Sequence, residues 1–144
     1  TLRLFLTYGP GQDSSRFIPQ IIRGCLDDAV FPASAGEQIR DFCYVEDTVR
    51  AILQALVVKD VSGEIFNIGS GVPVSIHEVI KNICILIGSG NPQHGKLAYR
   101  PDENMALYAN ISKAKMILQW KPTTNIDLGL QKTITYYDNK HDAK

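Results

Sequence analysis

Metal and disulfide chemistry have little to draw on in this sequence. Three cysteines and three histidines are spread over 144 residues. Cys25, Cys43 and Cys84 lie far apart, with no Cys-x-x-Cys and no Cys/His spacing that suits zinc. They read as buried free thiols of a reducing cytoplasm. His77, His94 and His141 form no cluster and read as solvated or capping residues. Neither sign of charge is in excess: 15 basic residues stand against 15 acidic ones. That balance argues against nucleic acid or an anionic membrane as the partner. No apolar run approaches bilayer length, and the best, residues 83–87, suits one helix face.

What is present fits a soluble globular protein, and its alternating strands and helices point to an α/β or α+β domain. Hydrophobic residues make up 44% and charged residues 21%, and the length suits one compact unit over residues 1–144. The sequence opens Thr1-Leu2-Arg3-Leu4-Phe5-Leu6, which reads as a strand already under way. A piece of a longer chain is therefore expected.

The stretch Gly36-Glu37-Gln38-Ile39-Arg40-Asp41-Phe42-Cys43-Tyr44-Val45-Glu46-Asp47 draws most attention. As a strand it would turn Ile39, Asp41, Cys43 and Val45 to one face. Arg40, Phe42 and Tyr44 would share the other. A guanidinium forks onto phosphate oxygens and stacks on flat rings, and a nucleoside diphosphate offers both. The plainer alternative is an edge strand with a surface arginine.

Elsewhere strands and helices alternate. Residues 2–6 read as a strand, and Tyr8-Gly9-Pro10-Gly11 as a turn. Pro19 opens a helix whose stripe is Ile21, Ile22, Cys25 and Leu26. Residues 29–31 suit a short strand. A helix over 46–58 repeats Val49, Ile52, Leu53, Leu56 and Val57, with Glu46 and Asp47 in its first turn. Asp47 is read as a helix-start residue rather than a catalyst. Residues 64–68 form a strand closed by Gly69-Ser70-Gly71, which lacks the Lys-Ser/Thr of a P-loop and reads as a tight turn. Ser75-Ile76-His77-Glu78 is a capping box whose helix ends at Gly88. A small strand is expected over 97–99 and a short helix capped by Asn110 or Ser112. A final helix over 128–137 precedes a charged, frayed tail over 139–144. The helix-rich later half reads as a lobe that packs against something else.

These pieces resemble, in order, the nucleotide-sugar epimerase/dehydratase family of extended short-chain dehydrogenases/reductases. Leu2-Arg3-Leu4-Phe5-Leu6-Thr7-Tyr8-Gly9-Pro10-Gly11 resembles L-R-x-F-N-V-Y-G-P-G, and Phe17-Ile18-Pro19 resembles the start of the substrate-side helix. Residues 36–47 resemble G-x-x-x-R-D-F-x-Y-V-x-D. Phe66-Asn67-Ile68-Gly69 resembles F-N-I-G, and residues 75–78 resemble S-I-x-E. Arg100-Pro101-Asp102-Glu103 resembles R-P-G-D. The run from Asn110 to Trp120 and Pro122 resembles D-I-S-K-A…L-G-W-x-P.

The resemblance implies the C-terminal half alone. That would be the C-terminal part of a Rossmann-type fold with a small mixed α/β substrate-binding lobe, the N-terminal NAD-binding portion being absent. It implies that Arg40 and Arg100 grip a substrate diphosphate and that Glu103 accepts from ribose hydroxyls. Phe42 and Phe31 would lie near the base or ribose, with Leu4 and Phe5 beside the nicotinamide of NAD or NADP. Leu6 stands where the family has a hydrogen-bonding asparagine, and Asp102 replaces the loop glycine. The family's Gly-x-x-Gly-x-x-Gly turn is missing. Its Tyr-x-x-x-Lys pair is expected to be missing too, with Tyr137 and Lys140, three apart, as the nearest approach. From this we expect no catalysis by this chain alone and no tight NAD binding. The expected role is the nucleotide-sugar-binding half of an NAD-dependent epimerase, dehydratase or reductase, with an inactive binding module, a remnant or a purely structural lobe as alternatives. A cytoplasmic protein, dimeric in its longer form and without membrane or nucleic-acid partners, completes the expectation.

Overall fold

The computed structural model describes residues 1–141. Its opening strand is two strands: β1 (Leu2–Leu4) and β2 (Leu6–Tyr8). They separate at Phe5, whose N–H donates to Ile68 O at 2.9 Å. α1 (Phe17–Leu26) follows, with Pro19 in its first turn. β3 (Val30–Pro32) and β4 (Ile39–Tyr44) lead into α2 (Val45–Val57). β5 (Phe66–Ile68) and β6 (Pro73–Ser75) precede α3 (Ile76–Ile87). Ser75 Oγ accepts from Glu78 N at 3.1 Å, which supplies one orphan N–H of α3 with a partner. Gly88 ends the helix at φ 83°, a conformation that favours glycine. The strand expected over 97–99 is not formed. β7 (Asn91–Gln93) lies before that segment and β8 (Ala106–Leu107) after it. α4 (Ser112–Ile117) and α5 (Ile126–His141) complete the described chain, and the rest of the expected frayed tail lies outside it.

Parallel pairing runs through the chain. β1 pairs with β5, β2 with β4, β3 with β7 and β4 with β8; β4 and β6 alone among the described strands are antiparallel. β4 is the hub, with β2, β6 and β8 as neighbours. Phe42 and Tyr44 point into a core with Tyr8, Ile22, Val79, Ile83 and Leu130, under α1, α3 and α5. Cys43 points the other way, into a core with Ala51, Phe66, Ile68, Leu118 and Trp120. Strands covered by helices on both faces are the signature of a parallel α/β layer. This corrects the expectation of a small lobe set apart from a Rossmann-type part. The later half also has its own support: α3 and α5 pack on α1, and α5 packs on β4.

Burial holds these layers, at about 1.5–3 kcal/mol for each large apolar side chain removed from water. Ile83 is fully buried between them, and truncating it to alanine should cost about 2–5 kcal/mol. α2 departs from the simple amphipathic picture. Its buried residues are Asp47, Thr48 and Ala51. The apolar stripe read from the sequence faces outward, with Leu53, Leu56 and Val57 at 57%, 77% and 71% exposure. Polar anchoring of Asp47, described below, sets the rotation of the helix.

Candidate functional site

One cleft of about 1120 Å³ opens between β1, β2, β4 and the segment leading into α1. Its location follows from the turn after β2. A Cβ at Gly9 would stand 2.5 Å from Val45 Cγ1, so only glycine lets the chain pass there. The turn swings residues 12–16 over the sheet edge, and Gln12 Nε2 ties back to Thr7 O at 2.8 Å.

Six of the eight residues singled out from the sequence line this cleft: Leu4, Phe5, Leu6, Arg40, Phe42 and Arg100. Arg40 and Arg100 are far apart in sequence and face the same space. Glu103 stands behind Arg40, accepting from its Nη2, with the two side chains 13% and 20% exposed. Arg40 Nη1 donates to Ile39 O at 2.8 Å. The structure therefore gives Glu103 a guanidinium partner. Phe31 lies elsewhere, on β3, where its ring packs against α1 at Gly24. Leu6 is half exposed at 44% and presents only hydrocarbon to the cleft.

Sequence reasoning passed over several lining residues. Arg3, Gln12, Ser15, Arg16, Phe17, Asp41 and Asn67 also face the cleft. The polar run from Gln12 to Arg16 directly after a Gly-Pro-Gly turn was the available signal. Tyr8 lies at the base. Burial, followed by nearby Cys43 and Tyr44, pushes its phenol well above the usual range. It stays protonated and donates to Ile126 O at 3.3 Å.

The expectation about Tyr-x-x-x-Lys needs correction on the sequence itself: Tyr136 and Lys140 stand four apart. On α5 the Lys140 ammonium sits 4.6 Å from the centroid of the Tyr136 ring, a cation–π contact. Tyr136 and Tyr137 support the turn after β2. Tyr136 Oη is 3.6 Å from where a Cβ on Gly11 would be, and Tyr137 Oη donates to Gln12 O.

Residues 1–69 match the NAD dependent epimerase/dehydratase family. A dTDP-glucose 4,6-dehydratase of Neisseria meningitidis serogroup B is 34% identical, over 92% of this chain and 41% of its own length. A UDP-glucuronate 4-epimerase of Thermodesulfobacterium geofontis is 31% identical, over 94% of this chain and 42% of its own. The chain thus spans about two fifths of the length of these curated relatives. Among solved structures, the Thermotoga maritima UDP-glucose 4-epimerase with UDP-glucose superposes at a TM-score of 0.89. It is 28% identical and covers 97% of this chain and 46% of its own. The Bacillus cereus UDP-glucuronic acid 4-epimerase with UDP-glucuronic acid and NAD gives 0.89 at 32% identity, over 96% of this chain and 45% of its own.

Fold and cleft together define a Rossmann-type protein of the short-chain dehydrogenase/reductase class. Within that class residues 1–69 match the NAD-dependent epimerase/dehydratase family, and over nearly its whole length the chain is similar to that family's epimerases and dehydratases.

The same findings correct four further expectations. Residues 1–69, which hold β1 to β5, carry the family match, and this corrects the identification with a C-terminal substrate-binding half alone. Reading the chain as only a substrate-binding half, an inactive module or a remnant falls with it, because 96–97% of the chain overlays substrate-holding epimerases. The same overlay argues against the expectation of no catalysis by this chain alone. The expectation of no tight NAD binding rested on one missing glycine-rich turn, and the overlay on an NAD complex overturns it. Among the described residues no helix is long and apolar enough to cross a membrane.

Proposed function

We propose that this chain works in NAD-dependent epimerisation or dehydration of a sugar carried on a nucleoside diphosphate. One observation carries the reading: Arg40 and Arg100 meet in a single cleft that also holds Phe42. Two guanidiniums supply two charge-assisted forks for two phosphates. In this reading Arg100, exposed, captures the diphosphate, and Arg40, held by Glu103, fixes its position. Phe42 forms an apolar floor near the ribose, and Leu6 a wall beside the sugar that makes no hydrogen bond. Leu4 and Phe5, on the β1–β2 edge, stand beside the nicotinamide. When bound, NAD would supply the hydride acceptor; the residues of this cleft would bind the substrate, orient the sugar toward it and exclude water. The names of the relatives support this substrate class.

Zero net charge supports a small-molecule partner over nucleic acid. A cytoplasmic location is supported by thiols that stand free, Cys25 and Cys84 Sγ being 3.5 Å apart without a bond. A homodimer belongs to the same reading, supported by the exposed apolar stripe of α2, and sedimentation velocity tests it.

Calorimetric titration with UDP-glucose, UDP-glucuronate and dTDP-glucose, with and without NAD, tests the function. Saturable binding of at least one nucleotide sugar is expected, weakened by Arg40→Ala. Equal affinity of wild type and that variant would sink the assignment.

A further inference from the structure

Three consecutive residues of β4 hold a single exposed segment. Ile39 N–H donates to Met105 O at 2.8 Å, and β8 runs parallel to β4 with Ile39 opposite Ala106 and Arg40 opposite Leu107. Arg40 binds Glu103 at one end. At the other, Asp41 Oδ2 accepts from Ala109 N at 3.1 Å. The segment between these ends has almost no apolar anchoring. Met105, Leu107 and Tyr108 are 39%, 49% and 54% exposed, and burial returns only at Ala109, 5% exposed. Exposed segments with few buried contacts open at low free energy, so polar contacts must hold this one.

Asp41 is suited to that work. Its side chain is 1% exposed. Besides Ala109 N it accepts from Ser70 N at 2.5 Å and Gly71 N at 2.9 Å. Three backbone N–H groups from two loops converge on one buried carboxylate, the arrangement by which a buried charge is satisfied without a cation. The turn before the segment carries Arg100, with Glu103 N–H donating to Arg100 O at 3.1 Å. Arg100 and Leu107 both line the cleft.

We propose that Asp41 is a positioning residue for the cleft: by fixing residues 103–109 along β4 it sets where Arg100 and Leu107 stand over the bound nucleotide. The proposal rests on the nucleotide-sugar reading for its ligand and on hydrogen bonding alone for the strap.

The test uses the full chain, with UDP as the probe. Asp41→Asn is compared with Asp47→Asn, which alters a second buried carboxylate that is not bonded to the strap. Amide hydrogen exchange at residues 106–109 should quicken at least tenfold in Asp41→Asn and stay near wild type in Asp47→Asn. UDP affinity should fall about tenfold in the first and less than twofold in the second, although both melt at lower temperature. Ala109→Pro removes the strap's donor to Asp41 from the other side, while also fixing the backbone at 109 and restricting Tyr108; it should reproduce the loss of UDP affinity and quicken exchange at residues 106–108, and it serves if Asp41→Asn does not fold. Unchanged exchange in the strap overturns the proposal, as does an equal loss of UDP affinity in the two carboxylate variants. Failure of the wild type to bind UDP would refute the nucleotide reading, and the exchange comparison would then decide the strap alone.

Discussion

Replacing Asp47 with alanine should destabilise this protein strongly, because the side chain ties the start of α2 to a distant segment. The side chain is 1% exposed. It accepts from Thr124 N at 2.9 Å, Thr123 Oγ1 at 3.0 Å and Thr123 N at 3.2 Å, and from Arg50 Nη2. These bonds tie the first turn of α2 to the segment before α5. Alanine leaves two backbone N–H groups without acceptors, at about 1–3 kcal/mol each. Arg50 also loses its carboxylate, but it keeps Lys121 O and Thr123 Oγ1 as acceptors, is 46% exposed and adds little. A net loss of about 3–5 kcal/mol follows, the range for breaking a buried charged cluster. For a domain of this size that corresponds to a fall in Tm of about 8–15 °C. Urea unfolding at pH 7 measures it, and Asp47→Asn, which keeps one acceptor oxygen, should lose about half as much. The pH dependence is a second check. Burial pushes this carboxyl upward, but the N–H groups of Thr124 and Thr123 and the Arg50 guanidinium together hold it below its ordinary value of 3.8. A depressed native pKa contributes stability that is complete above the unfolded value and disappears as pH falls through the folded one. Wild type should therefore lose stability more steeply than Asp47→Ala below about pH 4. A variant within about 1 kcal/mol of wild type, or parallel acid profiles, would refute the reasoning.

Other outcomes follow from the same geometry. Arg40→Ala should weaken nucleotide-sugar binding by about 2–5 kcal/mol, because it also strands Glu103; Arg100→Ala, at an exposed position, should cost nearer 1 kcal/mol, and calorimetry separates them. Gly129→Ala would place a Cβ 2.0 Å from Tyr8 Oη and should destabilise by about 1–3 kcal/mol or more in a thermal melt. Ser75→Ala removes the acceptor for Glu78 N and should cost about 1 kcal/mol in urea unfolding. Burial raises the thiols of Cys25 and Cys43, to about 12 and about 11. Both should resist alkylation at pH 8 while Cys84, partly exposed, reacts, and mass mapping of the labelled sites decides this.

The sequence by itself carried everything written in local periodicity or fixed residue order. The capping box at Ser75, the glycine stop at Gly88, the turn at Gly9-Pro10-Gly11 and the convergence of motifs on one family were all legible, because each rests on chemistry within a few residues. Tertiary structure decided the rest. Residues 2–6 looked like one strand because apolar runs do not disclose their partners; the split at Phe5 arises because β1 pairs with β5 and β2 with β4. The apolar stripe of α2 looked like a core face, yet four polar contacts to Asp47 turn it outward. The contact of Glu103 with Arg40 is made only by the fold. A motif specifies which side chains are available; which of them meet depends on contacts across more than sixty residues, and no local spacing encodes those.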